Sequence, residues 1–230
     1  MIKARIYVHY LFMVVKSKPI GCPMAEATNR LQQTTFSLFG PPPIQGLGYW
    51  PDFISEAEER ELLGLIDAQP WNTDIKRRTQ YYGGRYHDDN GQAGEAGILP
   101  DWLKPFAERL SANGHFPRTP DRAGINDYEP GQGIGAHRDL GGEAIEVIAI
   151  VSLNSAIMFE MTRIGHETQP HYLQPRSLFI MQGEARHKWF HGIPGRHSDR
   201  VGGLIVQRRR RVSITFRCVA PDWTPPRVRL

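Results

Sequence analysis

The predicted order of secondary structure indicates an α+β fold arranged around a jelly roll. Two segments with helical periodicity lie before residue 121, and the segments after it are rich in strand-forming residues. Helices followed by a run of strands are typical of α+β proteins, in which helices cover one face of a mostly antiparallel sheet. With 230 residues, of which 40% are hydrophobic, the chain can bury one domain-sized core.

The first helix is predicted over residues 57–68. Ser55 is a favourable N-cap, and Glu58 three residues later completes a capping box. The apolar side chains recur at helical spacing and form one inward face, which consists of Leu62, Leu63, Leu65 and Ile66. A second helix is predicted over residues 102–112, where Asn113-Gly114 ends it.

The strands are predicted mainly after residue 121. Residues 145–153 are an almost unbroken run of Val, Ile and other apolar residues, which is typical of a strand buried on both faces. Further strands are predicted over residues 156–161, 177–182 and 211–219. Residues 71–86 contain both strand-forming and turn-forming residues.

The ends of the chain are predicted to lie outside the folded domain. We expect a flexible or non-native extension over residues 1–46, the domain over 47–222 and a tail over 223–230. The apolar run at residues 6–15 is too short to span a bilayer, so no membrane partner is expected. We favour translation from Met24, with residues 1–23 as an upstream extension, over a signal peptide.

Charge and cysteine content restrict the compartment and the partners. The net charge of +4 is compatible with binding to phosphates but only weakly favours it. The two cysteines, Cys22 and Cys218, predict no disulfide framework, so we expect a cytoplasmic protein, or a nuclear one in a eukaryote. A monomer is expected. Residues 33–39 loosely resemble a sliding-clamp-binding peptide, and a hydrophobic anchor that packs on the domain is the favoured alternative.

A candidate metal site combines His137-Arg138-Asp139 with a histidine further along the chain. Positions i and i+2 of a strand face the same way, so His137 and Asp139 can reach one ion from a single strand. Two histidines and one carboxylate on one face, with open positions opposite, are typical of non-haem Fe(II). These ligand types leave zinc and manganese open as alternatives.

Four ordered motifs resemble those of the AlkB family of Fe(II)- and 2-oxoglutarate-dependent dioxygenases. They are Asn126-x-Tyr128-x-Pro130-Gly131, His137-x-Asp139, Gly183-Glu184-Ala185-Arg186 followed by His191-Gly192-Ile193, and Arg211-x-Ser213-x-Thr215-Phe216-Arg217. The resemblance covers about residues 48–220. It implies a double-stranded β-helix, with N-terminal helices and a nucleotide-binding lid, that holds the metal at its open end.

The same resemblance assigns roles to single residues. His137, Asp139 and His191 match the metal ligands, and His191 is preferred to His187 and His197 because it lies in His-Gly-Ile. Arg211 matches the arginine that pairs with the distal carboxylate of 2-oxoglutarate, which suits the planar guanidinium group. The further matches to co-substrate contacts are Asn126, Tyr128 and Arg217. Their neighbours Arg208, Arg209 and Arg210 are expected to form a solvated basic patch.

The nucleotide-binding lid is expected over residues 76–86, where basic and aromatic residues alternate. Such a segment can contact phosphates and stack on a base. The substrate-binding candidates in and near this site are Arg78, Tyr82, Tyr86, Glu143 and Arg186. DNA-repair members often have an acidic residue two positions after the HxD motif, and Gly141 occupies that position here, which leaves the preferred base open.

The favoured function is oxidative dealkylation of alkylated bases in DNA or RNA, as in alkylation repair and RNA demethylation. Hydroxylation of the wobble uridine of tRNA is the first alternative, because the Asn-x-Tyr-Glu-Pro-Gly-Gln-Gly-Ile segment before His137 resembles that branch of the family. A protein-directed demethylase or a non-catalytic binding module is the second. The intact triad and both arginines argue against the binding module.

Overall fold

The computed structural model describes residues 43–87, 93–95, 97–139 and 146–218. Among these residues, no helix is both long and apolar enough to cross a membrane. Residues 1–42 of the predicted extension, with the clamp-like peptide, lie outside the described residues, as do the tail and Glu143.

Three helices and fourteen strands are described in these ranges. The helices are α1 (Glu56–Asp67), α2 (Lys104–Ala112) and α3 (Gly183–His187). The strands are β1 (Leu47–Trp50), β2 (Arg78–Tyr82), β3 (Arg85–His87), β4 (Ala93–Glu95), β5 (Arg122–Tyr128), β6 (Ile134–His137), β7 (Val147–Leu153), β8 (Ile157–Thr162), β9 (Gln169–Leu173), β10 (Leu178–Gln182), β11 (Phe190–Ile193), β12 (Ser198–Val201), β13 (Leu204–Gln207) and β14 (Arg211–Arg217).

Two antiparallel sheets form the jelly roll. The major sheet has the strand order β1-β10-β7-β14-β5-β2, and the minor sheet has the order β6-β11-β8-β9. Because strands distant in sequence are neighbours in both sheets, the architecture is the expected double-stranded β-helix. Two short hairpins, β3–β4 and β12–β13, form separate two-stranded sheets.

The core has two layers, one on each face of the major sheet. Ile148 and Ile150 of β7 pack with Phe159 and Met161 of β8, which closes the space between the two sheets. The alternate residues of the major sheet, such as Val151 and Ile214, pack with the apolar faces of α1 and α2. All seven residues of β7 are buried, which confirms the prediction of a strand covered on both faces.

The two main helices form where the sequence predicts them. The Ser55 hydroxyl accepts a hydrogen bond from the Glu58 N–H at 3.2 Å, and the Glu58 carboxylate accepts one from the Ser55 N–H at 2.8 Å. The capping box before α1 is therefore confirmed. The second helix begins at Lys104 rather than at residue 102. Pro105 lies in its first turn, where a backbone N–H would have no partner within the helix, so the N–H that proline lacks costs nothing.

A buried arginine cluster corrects the expected solvated patch. Arg208 is 7% exposed, and its guanidinium donates two hydrogen bonds of 2.8 Å to the carboxylate of Asp199, which is 3% exposed. Arg210 pairs with Asp67 and with the buried Asp127. Only Arg209 remains exposed, so the prediction is wrong for its two neighbours. The partner of Arg208 lies nine residues away across the β12–β13 hairpin, and the partners of Arg210 lie 83 and 143 residues away, so the basic run revealed neither pairing.

Asp199 is expected to be a stability determinant of the β12–β13 hairpin. Its carboxylate also accepts hydrogen bonds from Arg196 and from the Met158 N–H, so it links the hairpin to the minor sheet. An Asp199→Ala substitution leaves the buried Arg208 charge unpaired, and we expect it to lower the free energy of unfolding by about 3–5 kcal/mol. Urea unfolding measures this loss. Arg200→Ala, at the exposed neighbouring position, is the control and should change the free energy by less than about 0.5 kcal/mol.

Candidate metal centre and co-substrate site

Three side chains in the described residues converge as a possible metal site. One ligand atom from each of His137, Asp139 and His191 lies within 4.8 Å of the other two. Asp139 Oδ1 is 3.4 Å from His137 Nε2 and 3.5 Å from His191 Nε2. Metal–ligand bonds of about 2.1 Å place neighbouring ligand atoms about 3 Å apart, so the three atoms need only small shifts to share one ion. Neither His187 nor His197 belongs to this group.

The minor sheet places the two histidines, and a loop places the aspartate. His137 is the last residue of β6 and lies opposite His191 of β11, so both side chains face the interior of the jelly roll. Asp139 lies two positions after the end of β6 and not on the strand, which corrects the expectation that one strand holds both ligands. The His191 ring also stacks on Phe159, with ring centroids 5.6 Å apart.

The His137 ring is oriented by a backbone contact. Its Nδ1–H donates a hydrogen bond of 2.8 Å to the carbonyl oxygen of Gly135. Because a carbonyl can only accept, the proton lies on Nδ1 and the lone pair of Nε2 faces the other ligands. The side chain is therefore in the tautomer that binds a metal through Nε2.

Two arginines hold Asp139 in place. Arg217 Nε donates a hydrogen bond of 2.7 Å to Asp139 Oδ2, while Oδ1 faces the two histidines. Arg186, which is 3% exposed, donates a hydrogen bond of 3.0 Å to the Asp139 backbone carbonyl. With Oδ2 engaged, the carboxylate can offer one oxygen to an ion, which leaves more coordination positions open than a bidentate carboxylate would.

The electrostatics of Asp139 and His191 suit a cation. Burial would raise the pKa of Asp139, but the charge of Arg217 holds it well below its usual value. Burial lowers the pKa of His191 more than Asp139 raises it. At neutral pH the site therefore presents a carboxylate and a neutral imidazole, which are the forms that bind a metal ion.

Arg211 forms the base of a second subsite on the same side of the major sheet. It is 1% exposed, its Nη2 donates a hydrogen bond of 2.8 Å to the Ser152 hydroxyl, and its Nε has no hydrogen-bond partner. Burial lowers its pKa to about 10. In the described part of the chain no carboxylate pairs with it. A buried guanidinium without a counter-ion is costly, so the subsite fits a small carboxylate ligand.

Strand register places the remaining co-substrate candidates on the same face of the major sheet as Arg211. Tyr128 of β5 lies directly opposite Arg211 of β14, and its ring centroid is 5.7 Å from the guanidinium carbon. Asn126 lies on the same face two residues earlier, and its side-chain oxygen accepts a hydrogen bond of 2.9 Å from Arg77 Nε. Arg217, at the other end of β14, also faces this side. All four residues that the resemblance assigned to 2-oxoglutarate therefore lie on one face of two neighbouring strands.

The structure separates the substrate-binding candidates. Arg78 and Tyr82 of β2 lie on the opposite face of the major sheet from the triad, where Arg78 pairs with Asp127 and Tyr82 packs against Trp102. Tyr86 lies on β3, where only the backbone is described. Among the candidates whose side chains the structure describes, only Arg186 contacts the triad, through its hydrogen bond to Asp139. The structure does not bring Arg78 or Tyr82 to the site.

Two residues that the sequence analysis did not select also face the site. Tyr81 lies between two residues of β2 that face the helices, so its side chain points to the triad side of the sheet. Arg122 begins β5 directly opposite Arg217. Strand alternation could have identified Arg122, which is four positions before Asn126 on one strand, whereas only the register of β2 with β5 decides the face of Tyr81.

Comparisons with known proteins agree with this geometry. The model of the 2OG-Fe(II) oxygenase superfamily matches residues 65–217. The probable RNA/DNA demethylase ALKBH6 of Danio rerio is 31% identical over 201 residues, which cover 74% of this chain and 84% of the relative. The chain belongs to the AlkB family. As a member of this family, it is an Fe(II)- and 2-oxoglutarate-dependent dioxygenase.

Other AlkB relatives are longer than this chain. The alkylated DNA repair protein ALKBH8 homolog of Arabidopsis thaliana is 32% identical to the chain. The alignment covers 76% of the chain and 59% of that relative. The tRNA (carboxymethyluridine(34)-5-O)-methyltransferase ALKBH8 of Macaca fascicularis is 33% identical, and the chain spans 30% of its length. The solved structure of OsALKBH1 shares the fold, with a TM-score of 0.60 at 15% identity over 75% of this chain and 96% of that one.

An Arg211→Lys substitution is expected to raise the KM for 2-oxoglutarate at least about tenfold. Lysine keeps the charge but cannot form two parallel hydrogen bonds with a carboxylate. Succinate formation as a function of 2-oxoglutarate concentration measures the effect. Arg209→Lys, at an exposed position in the same basic run, is the matched control. An unchanged KM in Arg211→Lys would show that the co-substrate carboxylate lies elsewhere.

An Arg186→Met substitution is expected to weaken metal binding about tenfold. Methionine fills part of the buried space but cannot hold the Asp139 carbonyl, and the loss of such outer contacts typically lowers metal affinity by about 10–100-fold. Titration with Co(II), followed by its visible absorption, measures the affinity without turnover. The control is Arg138→Met, which removes a guanidinium that bonds to the His187 carbonyl and not to a ligand. Equal Co(II) affinities in the two variants would refute the role of Arg186.

Proposed function

We propose that this dioxygenase oxidatively removes alkyl groups from bases of DNA or RNA. The products would be the repaired base, formaldehyde, succinate and CO2. The side chains of Tyr81 and Arg217 lie close together over Gly124, beside Asp139. This observation supports a base as the substrate. A Cβ added at Gly124 would lie 3.4 Å from Arg217 Nη1 and 3.8 Å from the Tyr81 ring, so glycine leaves room where two flat side chains converge.

Flat side chains beside the triad suit a flat substrate. Aromatic rings and guanidinium planes both stack on nucleobases, and a base that reacts must leave its own stack. His137 is partly exposed, with 34% of its side chain accessible, so the metal side of the site is open to a ligand. The names of the ALKBH6 and ALKBH8 relatives refer to RNA or DNA, which supports the same class of substrate.

The chain's own residues bind and orient the reactants in this reaction. His137, Asp139 and His191 would hold the iron, which with 2-oxoglutarate and O2 would supply the chemistry that hydroxylates an N-methyl carbon, so that the carbon is released as formaldehyde. Arg211 and Ser152 orient the co-substrate from the buried side. Arg217 and Arg186 hold Asp139 so that one face of the ion stays free. The apolar side chains of the core keep water away from the buried side of the site.

Hydroxylation of a tRNA wobble uridine is the second candidate. The similarity to the macaque ALKBH8 protein favours it, although the chain spans only 30% of that relative. The same arrangement of Tyr81 and Arg217 could hold a uracil ring, since stacking tolerates any base. The alcohol would remain on the substrate in that case, and no formaldehyde would form.

The proposal is tested by analysis of nucleosides after turnover. Iron-loaded protein is incubated with 2-oxoglutarate and either methylated single-stranded DNA, methylated RNA or bulk tRNA, and mass spectrometry follows the nucleosides. We expect loss of methylated bases with equimolar succinate and formaldehyde. Hydroxylated wobble uridine without formaldehyde would support the second candidate. If no methylated base is lost from any of these substrates and no wobble uridine is hydroxylated, the nucleic-acid proposal is wrong.

A variant of the metal site provides the control for this experiment. His137→Ala removes one of the three ligands and is expected to abolish succinate formation with every substrate. Far-UV circular dichroism checks that the variant folds. Substantial turnover in a folded His137→Ala protein would contradict the assignment of the metal site.

A further inference from the structure

Arg77 contacts a residue of the co-substrate subsite from the loop before β2. Its Nε donates a hydrogen bond of 2.9 Å to the side-chain oxygen of Asn126. Asn126 lies on the co-substrate face of β5, two residues before Tyr128, which is directly opposite Arg211. Arg77 is therefore one hydrogen bond away from the subsite that fits a small carboxylate ligand.

The hydrogen bond from Arg77 decides which way the Asn126 amide points. A guanidinium group can only donate, so the atom of the amide that faces it must be the oxygen. The amide nitrogen of Asn126 is on the other arm of the same planar group and has no acceptor in the described part of the chain. A carboxylate can only accept, so this orientation presents N–H groups to an anionic co-substrate, while the flipped amide would present an oxygen.

The backbone around Arg77 is held by hydrogen bonds on two sides. Asn72 and Thr79 exchange two backbone hydrogen bonds of 2.9 and 3.0 Å, which close the loop that contains Arg77. The side chain of Gln132 donates a hydrogen bond of 2.6 Å to the carbonyl oxygen of Lys76. Gln132 lies two positions before β6, so the loop is tied to the strand that provides the first metal ligand.

We propose that Arg77 is a positioning residue for 2-oxoglutarate, which fixes the Asn126 amide so that its N–H groups face the co-substrate. Asn126 is opposite Ser213, which lies two positions after Arg211 on β14. Positions two apart on a strand are about 7 Å from each other, so an amide there can reach a co-substrate that extends from Arg211. An amide that is already oriented does not lose this freedom on binding, which favours affinity. The role concerns the co-substrate alone and holds for either candidate substrate.

The test measures binding of 2-oxoglutarate without turnover. Isothermal titration calorimetry of the full chain, loaded with Mn(II) under nitrogen, gives the Kd. We expect Arg77→Met to raise the Kd about tenfold, because the amide no longer has a fixed donor for the charged ligand. The KM for 2-oxoglutarate in succinate formation should rise in parallel, with kcat unchanged. Arg60→Met removes a positive charge at an exposed position on α1 and should bind 2-oxoglutarate as wild type does.

A conservative variant separates the hydrogen bond from the shape of the side chain. Arg77→Lys can still donate to the Asn126 oxygen and should recover most of the affinity that Arg77→Met loses. Because Arg77 is only partly buried, both variants should give the far-UV circular dichroism of wild type. A folded Arg77→Met protein with the wild-type Kd would contradict the proposal.

A double-mutant cycle distinguishes positioning through Asn126 from a direct effect of the Arg77 charge. Asn126→Ala removes the amide, so adding Arg77→Met to that variant should raise the Kd no further. If Arg77 bound or attracted the co-substrate by itself, Arg77→Met would weaken binding equally in both backgrounds, and the positioning role would be wrong. Neither result touches the proposed function, which the nucleoside analysis tests separately.

Discussion

The contact between Arg217 and Asp139 is the interaction on which the site depends most. Asp139 lies beyond the end of β6, so no strand hydrogen bonds fix its side chain. Arg217 occupies one carboxylate oxygen and keeps the other directed at the two histidines. Since Arg217 belongs to the central β14, the position of a loop ligand is set by the most firmly paired strand of the major sheet. The geometry of the metal site is thereby coupled to the packing of the core.

Strand β14 provides one arginine to the candidate co-substrate site and another to the metal site, because alternate residues of a strand face the same side. Arg211 and Arg217 are six positions apart on β14, so they face the same side at opposite ends of the strand. Arg211 is buried near Ser152 and has no counter-ion among the described residues, while Arg217 is partly exposed beside the metal ligand. The helix-facing residues between them, Val212, Ile214 and Phe216, fix the strand by burial.

The sequence predicts those parts of the molecule that depend on local pattern. The capping box at Ser55, the buried β7 and the face shared by Arg211 and Arg217 all follow from spacing, and the structure agrees. The choice of Tyr82 over Tyr81 failed to identify the aromatic residue that faces the site, because both are equally plausible in composition and only the register with β5 decides the face. The buried state of Arg208 was also unpredictable, since its partner Asp199 meets it only after β12 and β13 pair.

The distribution of positive charge explains why composition alone could not locate the substrate surface. A net charge of +4 does not tell where the charged side chains lie in the fold. The run at residues 208–211 suggests an exposed basic patch, which the folded structure does not have. Asp127 neutralises Arg78 and Arg210 on the helix side of the sheet, and Asp199 neutralises Arg208. Beside the metal site, Asp139 pairs with Arg217 in the same way. The electrostatic field is therefore determined by where the fold places its aspartates.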